Sequence, residues 1–212
     1  MIPRVAKYLC WDLDGTLCDM DRVHFDALNV ALALCGPQAP ITPAEHLATF
    51  KGLPTRRKLA MLVAAGRLAE ADAARVTERK QHETIKAVWQ TLHPDPERLR
   101  LLRALRDDRW RMCVCSNAVR RSVKAMLHAA GLAQFMEFYL SNEDAEPKPS
   151  PAIYRKAAEI FGVAPERMVV VEDAEPGRRA ALAAGCRLVA VEGPEDVTVA
   201  LLSCIVAAAE HE

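Results

Sequence analysis

The chain has 212 residues, of which 51% are apolar, and 28 basic side chains are matched by 28 acidic ones. That apolar share excludes a disordered chain and supports a core spread over one to two domains. A formal net charge of zero leaves no electrostatic footprint for bulk nucleic acid or an anionic membrane surface.

The first predicted element is a buried strand at Tyr8 to Trp11, apolar and aromatic. It stops on Asp12-Leu13-Asp14-Gly15-Thr16. Carboxylates two residues apart on a strand can point the same way, and Gly15 suits a sharp turn. Arg4 and Lys7 precede this strand, but Asp12 interrupts any signal-peptide core. From about Cys18 to His93 the texture turns helical, with no clear strand. Phe25, Leu28, Leu32 and Cys35 form one stripe; Ile85, Val88, Trp89 and Leu92 form another. A loop at residues 36–43 separates them, and His93-Pro94-Asp95-Pro96 is stiff punctuation that returns the chain. The two crossings make a natural hinge, so residues 19–92 read as a helical insertion into a domain of residues 1–18 and 93–212.

Six arginines follow in residues 98–111, interleaved with Leu99, Leu102 and Leu105, which reads as a solvated helix face. Residues 110–118, WRMCVCSNA, form a second strand ending in hydroxyl and amide groups. A helix follows with Val119, Val123, Met126, Leu127 and Ala130 on one face and Gly131 as its C-cap. Ser150 as N-cap and Pro151 open another, with Ile153, Ala157, Ile160 and Phe161 as its stripe. Residues 168–173, MVVVED, are a third strand ending in acids. A helix over Pro176 to Ala184 stops at Gly185. The apolar tail from Val197 to Ala209 is too short to span a bilayer; it reads as a packed terminal helix or a dimer surface. Strands alternating with helices predict an α/β fold with a parallel sheet and ligands at the strands' carboxyl ends.

The seven cysteines are odd in number. Cys10, Cys113, Cys115 and Cys186 flank or lie in strands, where cysteine packs as a small hydrophobe. Cys113-x-Cys115 gives only a weak metal signal, since alternating strand positions face one layer of core. No disulfide framework is implied, which favours a reducing compartment.

Paired acids at the end of a buried strand are costly unless something cationic lies between them. A divalent metal plus one acid free for proton transfer resolves that cost. Each segment also has a plainer reading. Asp14-Gly15 could be an ordinary turn, and Ser116-Asn117 a helix N-cap. Lys148, between Pro147 and Pro149, could be a solvated loop lysine, and Glu172-Asp173-Ala174 an acid-rich helix entry. Joint placement at strand ends favours chemistry.

Taken in order, Asp12-Leu13-Asp14-Gly15-Thr16, Ser116-Asn117, Lys148-Pro149 and Glu172-Asp173 resemble the four motifs of the haloacid dehalogenase superfamily, and the resemblance covers the whole chain. It is closest to the helical-cap subgroup of β-phosphoglucomutase and the phosphoglycolate and sugar phosphatases. It implies a Rossmann-like parallel sheet flanked by helices, with an inserted α-helical cap that closes over the site. It also implies Asp12 as nucleophile and Asp14 as general acid and then base. Ser116 and the Asn117 amide would hold phosphoryl oxygens, and Lys148 would neutralise charge. Asp173, Glu172 (directly or through water), Asp12 and the Asp14 carbonyl would hold Mg2+. An anion meeting a phosphate dianion at about 4 Å costs on the order of 4 kcal/mol per like-charge pair at an effective dielectric near 20, so cations are required.

Gly15 and Thr16 fall among the implied substrate contacts, as do His24, Lys51 and Arg56 in the cap. His24 could equally be a capping or packing residue, and Lys51 and Arg56 exposed cations beside a helix start; either could take a second anionic group. Asp14 argues against dehalogenases and phosphonate-cleaving relatives, which lack that acid. The expectation is a cytoplasmic, magnesium-dependent phosphatase of small phosphorylated metabolites, a monomer or weak homodimer without nucleic-acid or membrane partners. A β-phosphoglucomutase-like phosphomutase is the nearest alternative, against which Thr16 leans. A non-catalytic binding protein of the same fold is disfavoured because no catalytic position is missing.

Overall fold

Five parallel strands form one sheet: β1 (Lys7–Trp11), β2 (Trp110–Cys115), β3 (Phe138–Leu140), β4 (Met168–Glu172) and β5 (Arg187–Ala190), in the order β3-β2-β1-β4-β5. This is a computed structural model, and it describes residues 7–35, 40–50 and 53–210. β1 is central, with Leu9 in register with Met112 on one side and Val169 on the other. The three strands expected from sequence are the three inner ones. β3 and β5 are edge strands of three and four residues, only partly buried, too short to leave a periodic signal.

The chain divides into two compact units, Met1–Asp19 with Leu92–Glu212, and Met20–Thr91. The second holds α1 (Asp21–Cys35), α2 (Pro43–Glu45) running into a π-helical turn at His46–Phe50, α3 (Thr55–Ala64) and α4 (Ala73–Thr91). The first holds α5 (Pro96–Asp107), α6 (Arg120–Ala129), α7 (Ala152–Phe161), α8 (Glu175–Ala184) and α9 (Leu201–Glu210).

Alternation along the strands sorts the sheet's two faces. Cys10, Cys113, Cys115, Met168 and Val170 pack with Ile153, Tyr154, Ala157 and Ala158 of α7 and Ala180, Ala181 and Ala184 of α8. Leu9, Trp11, Met112, Val114, Val169 and Val171 point the other way and are equally buried, as a parallel sheet covered on both faces requires. α5 and α9 pack on each other, α5 against β2 and α9 against β4 and β5.

In the helical unit, α1 pairs mainly with α4. Leu28, Ala31, Leu32 and Cys35 meet Leu59 and Leu62 of α3 and Val76 of α4. The expected α4 stripe is corrected: its buried face is Val76, Lys80, Thr84 and Val88, while Trp89 is 56% exposed. Two polar residues occupy the i, i+4 positions of the buried stripe, so an apolar count sets the wrong phase. On α7, Ile160 is likewise exposed and Tyr154 is buried instead. That helix begins at Ala152, although Ser150 Oγ still accepts from the Ala152 N–H at 3.4 Å. The arginine run is not one solvated face. Arg98 donates to the Pro194 carbonyl, and Arg111 lies in β2 with a two-pronged grip on Glu137. All seven cysteines are free thiols, and no helix among the described residues is long and apolar enough to cross a membrane.

Candidate active site

Each of the three inner strands ends in chemistry. Asp12 follows β1 directly and its N–H extends the ladder to the Val171 carbonyl at 3.0 Å. Ser116 follows β2, its N–H bonded to Leu140 O. Glu172 is the last residue of β4, and Asp173 comes next. The turn after Asp12 is tight: Leu17 and Cys18 N–H both donate to Leu13 O, and Gly15 N–H donates to Cys18 O at 2.7 Å. Gly15 has φ +101°, and a Cβ there would lie 2.2 Å from Asp173 Oδ2. Only glycine permits that backbone angle and that close approach.

Lys148 is 7% exposed, and its Nζ donates to Asp12 Oδ1 and Glu172 Oε1, each at 2.6 Å. Glu172 Oε1 also accepts from Tyr154 OH at 3.0 Å, and Glu172 Oε2 from the Ala174 N–H at 3.1 Å. The Lys148 ammonium lies 5.0 Å from the centre of the Tyr154 ring, close enough for cation–π attraction. Thr16 Oγ1, fully buried, donates to Asp173 Oδ1 at 2.9 Å. Carboxylate oxygens of Asp12, Glu172 and Asp173 lie within 4.8 Å of one another.

Charge is unbalanced in this cluster: three carboxylates face one ammonium. Burial, and then the Glu172 charge, push the Asp12 carboxyl well above the usual carboxylate range despite Lys148. Burial also raises Asp173, with Glu172 and Asp14 adding to it. For Lys148 burial works against the charge, but Asp12 and Glu172 outweigh it and hold the ammonium protonated. Asp12 Oδ2 is buried and has no hydrogen-bond partner among the described residues. An orphaned carboxylate oxygen beside two further acids is the donor set of a hard divalent cation. Two positive charges would close the balance left by three acids and one lysine.

A family model of the haloacid dehalogenase-like hydrolases matches residues 6–185. The chain belongs to that family. It is 30% identical to hexitol phosphatase A of Escherichia coli (strain K12) over 90% of this chain and 85% of that protein. It is 30% identical to a phosphoglycolate phosphatase of Neisseria meningitidis over 92% and 84%. Among solved structures, CbbY from Rhodobacter sphaeroides, in complex with phosphate, matches in fold with a TM-score of 0.78. That match has 24% identity and covers 89% of this chain and 87% of that one.

In this haloacid dehalogenase-like hydrolase the expected core residues converge, and several of their side chains have partners that the motifs do not announce. Thr16 is turned into the protein to hold Asp173, and Gly15 makes room for it. Asn117 is exposed, and its side chain is spent on the backbone of Lys148. Ser116 Oγ accepts from the Ala118 N–H at 3.1 Å and is not the cap of α6, which starts at Arg120. Asp14 is half-buried, and its charge acts on Asp173. In the helical unit, His24 Nδ1 lies 3.1 Å from Lys80 Nζ. Arg56 is exposed and borders a depression of about 450 Å³ between α3 and α4. Lys51 lies outside the described residues. Tyr154 and Lys80 were missed by sequence reasoning. Their signal was polarity on an otherwise apolar helical face: Tyr154 beside Ile153 and Ala157, and Lys80 four residues after Val76.

Proposed function

We propose that this hydrolase is a magnesium-dependent phosphatase of small phosphorylated metabolites, of the polyol or sugar phosphate or phosphoglycolate class. It works through an aspartyl-phosphate on Asp12. The observation that carries the reading is the state of Asp12: buried at the end of β1, one oxygen on Lys148 and the other without a partner, beside Glu172 and Asp173. The phosphatase names of the relatives support the same class.

In the first half-reaction the Asp12 carboxylate attacks phosphorus, and the bond from phosphorus to the ester oxygen breaks. Asp14 gives its proton to the departing alkoxide. In the second half-reaction Asp14 takes a proton from water, and the resulting hydroxide displaces Asp12 from the phosphoryl group. Lys148 holds Asp12 in place and offsets negative charge as the two anions meet. Ser116 and the Asn117 N–H bind phosphoryl oxygens. Asp12, Asp173 and the Asp14 carbonyl, with Glu172 as a further acid, would hold Mg2+, which would neutralise phosphoryl charge. We assign substrate choice to the helical unit, residues 19–92 in the sequence reading, through His24, Lys51 and Arg56.

Phosphate release from a panel of phosphate esters, with Mg2+ and with chelator, tests the reading. Release only with Mg2+, lost in Asp12→Asn, is the expected result. No release above the metal-free blank favours a non-catalytic binding protein. Conversion of a sugar 1-phosphate to its 6-phosphate with little free phosphate favours the mutase.

A further inference from the structure

Beneath the active site the sheet carries a second cluster of metal-ligating groups that the phosphatase chemistry does not use. Cys10 on β1 is in register with Cys113 on β2, and Cys115 lies two residues further along the same face. All three are fully buried, and their sulfurs lie within 4.8 Å of one another. Cys115 Sγ also donates to the Ile153 carbonyl, at 3.8 Å.

We infer that Cys10, Cys113 and Cys115 form a three-sulfur site for a soft, thiophilic d10 cation of the zinc or cadmium class. Metal–thiolate bonds of about 2.3 Å place three sulfurs about 3.8–4 Å apart around a trigonal or tetrahedral ion, so an inward shift of under about 1 Å closes the ring. Among the described residues no carboxylate or imidazole joins the trio, and an all-sulfur set selects soft ions over Mg2+. Three thiolates on a divalent ion leave one negative charge. The ligands stand on the central strand β1 and its neighbour β2, with Cys10 two residues before Asp12 and Cys115 one before Ser116. A bound ion therefore cross-links β1 and β2 just below the strand ends that carry the nucleophile and the phosphoryl-binding serine.

The test is a titration of the reduced full-length protein with Cd2+ in saturating Mg2+, which keeps the carboxylate cluster occupied. Thiolate-to-metal charge-transfer absorption should saturate at one ion per chain, with release of about three protons, because thiols must ionise to bind. Cys113→Ser should weaken binding at least tenfold, and Cys204→Ser, at the exposed cysteine, should leave it unchanged. Absence of the absorption, its persistence in Cys113→Ser, or its loss in Cys204→Ser overturns the site. Cadmium NMR of the wild-type complex makes the test independent of whether the variant folds. A resonance in the sulfur-ligated range supports the trio; one in the oxygen-ligated range overturns it.

Discussion

Asn117 and Lys148 grip each other at the backbone: the Lys148 N–H donates to Asn117 Oδ1 at 2.8 Å, and Asn117 Nδ2 donates to the Lys148 carbonyl at 3.1 Å. Thirty-one residues of chain separate them, so the pair ties the end of β2 to the loop that delivers the lysine. Asn117→Ala removes both bonds, each worth about 0.5–1.5 kcal/mol. Misplacement of a catalytic group by about 1 Å can cost roughly a hundredfold in rate. We expect kcat to fall about ten- to a hundredfold with KM changed less, in a protein that melts within a few degrees of wild type. Steady-state kinetics with melting curves check this; a wild-type kcat refutes the positioning role.

Lys148 sits between two buried carboxylates, so Lys148→Met should cost stability as well as rate. Leaving buried charges unpaired costs about 3–5 kcal/mol. Asp12 is already held above the ordinary carboxylate range by burial and Glu172, and losing the lysine raises it further. Between the unfolded and folded pKa values the native state then binds a proton that the unfolded state does not, so stability falls as pH rises. The deficit should be larger at roughly pH 8 than at pH 5 in urea melts of the metal-free protein. An equal deficit at both would contradict it.

Mg2+ should stabilise the fold by relieving the three-acid cluster. At about 100 times its dissociation constant an ion adds about 2.7 kcal/mol, or roughly 5–10 °C in Tm for a domain this size. Asp173→Asn should remove most of that gain. Because Asp12 and Asp173 are both raised, protons compete with the ion, and the gain should shrink as pH falls through those raised values. Thermal melts with Mg2+ and with chelator across pH measure it.

Gly177 lies in α8, where glycine-to-alanine ordinarily helps by up to about 1 kcal/mol. Here an added Cβ would lie 1.7 Å from Glu172 Oε1. Glu172 cannot swing aside without leaving Lys148, Tyr154 or the Ala174 N–H. Gly177→Ala should therefore destabilise by about 1–3 kcal/mol and lower kcat at least tenfold. A more stable and fully active variant would show that Glu172 has room to move.

The motif acids were legible because strand periodicity and chain order are local properties. An apolar run that stops on Asp12, or on Glu172 and Asp173, announces a strand end whether or not its neighbours are known. What each side chain touches was not legible. Thr16 is the last residue of the first motif and reads as a substrate contact, yet its side chain bonds an acid 157 residues away. Tyr154 and Lys80 carry no local mark beyond polarity on a buried helical face, and Trp89 and Ile160 have core spacing yet face solvent.

By itself the sequence determined the alternation of strands and helices and the strand ends on which Asp12, Ser116 and Glu172 stand, because these follow from hydrophobic period and turn chemistry; Lys148, in a loop, stood out only through the family resemblance. Only the tertiary structure decided that Lys148 bridges Asp12 and Glu172, that Asn117 anchors that lysine, and that Cys10 meets Cys113 and Cys115. Those pairings depend on which strands become neighbours and in what register, a long-range outcome of packing that no local pattern encodes.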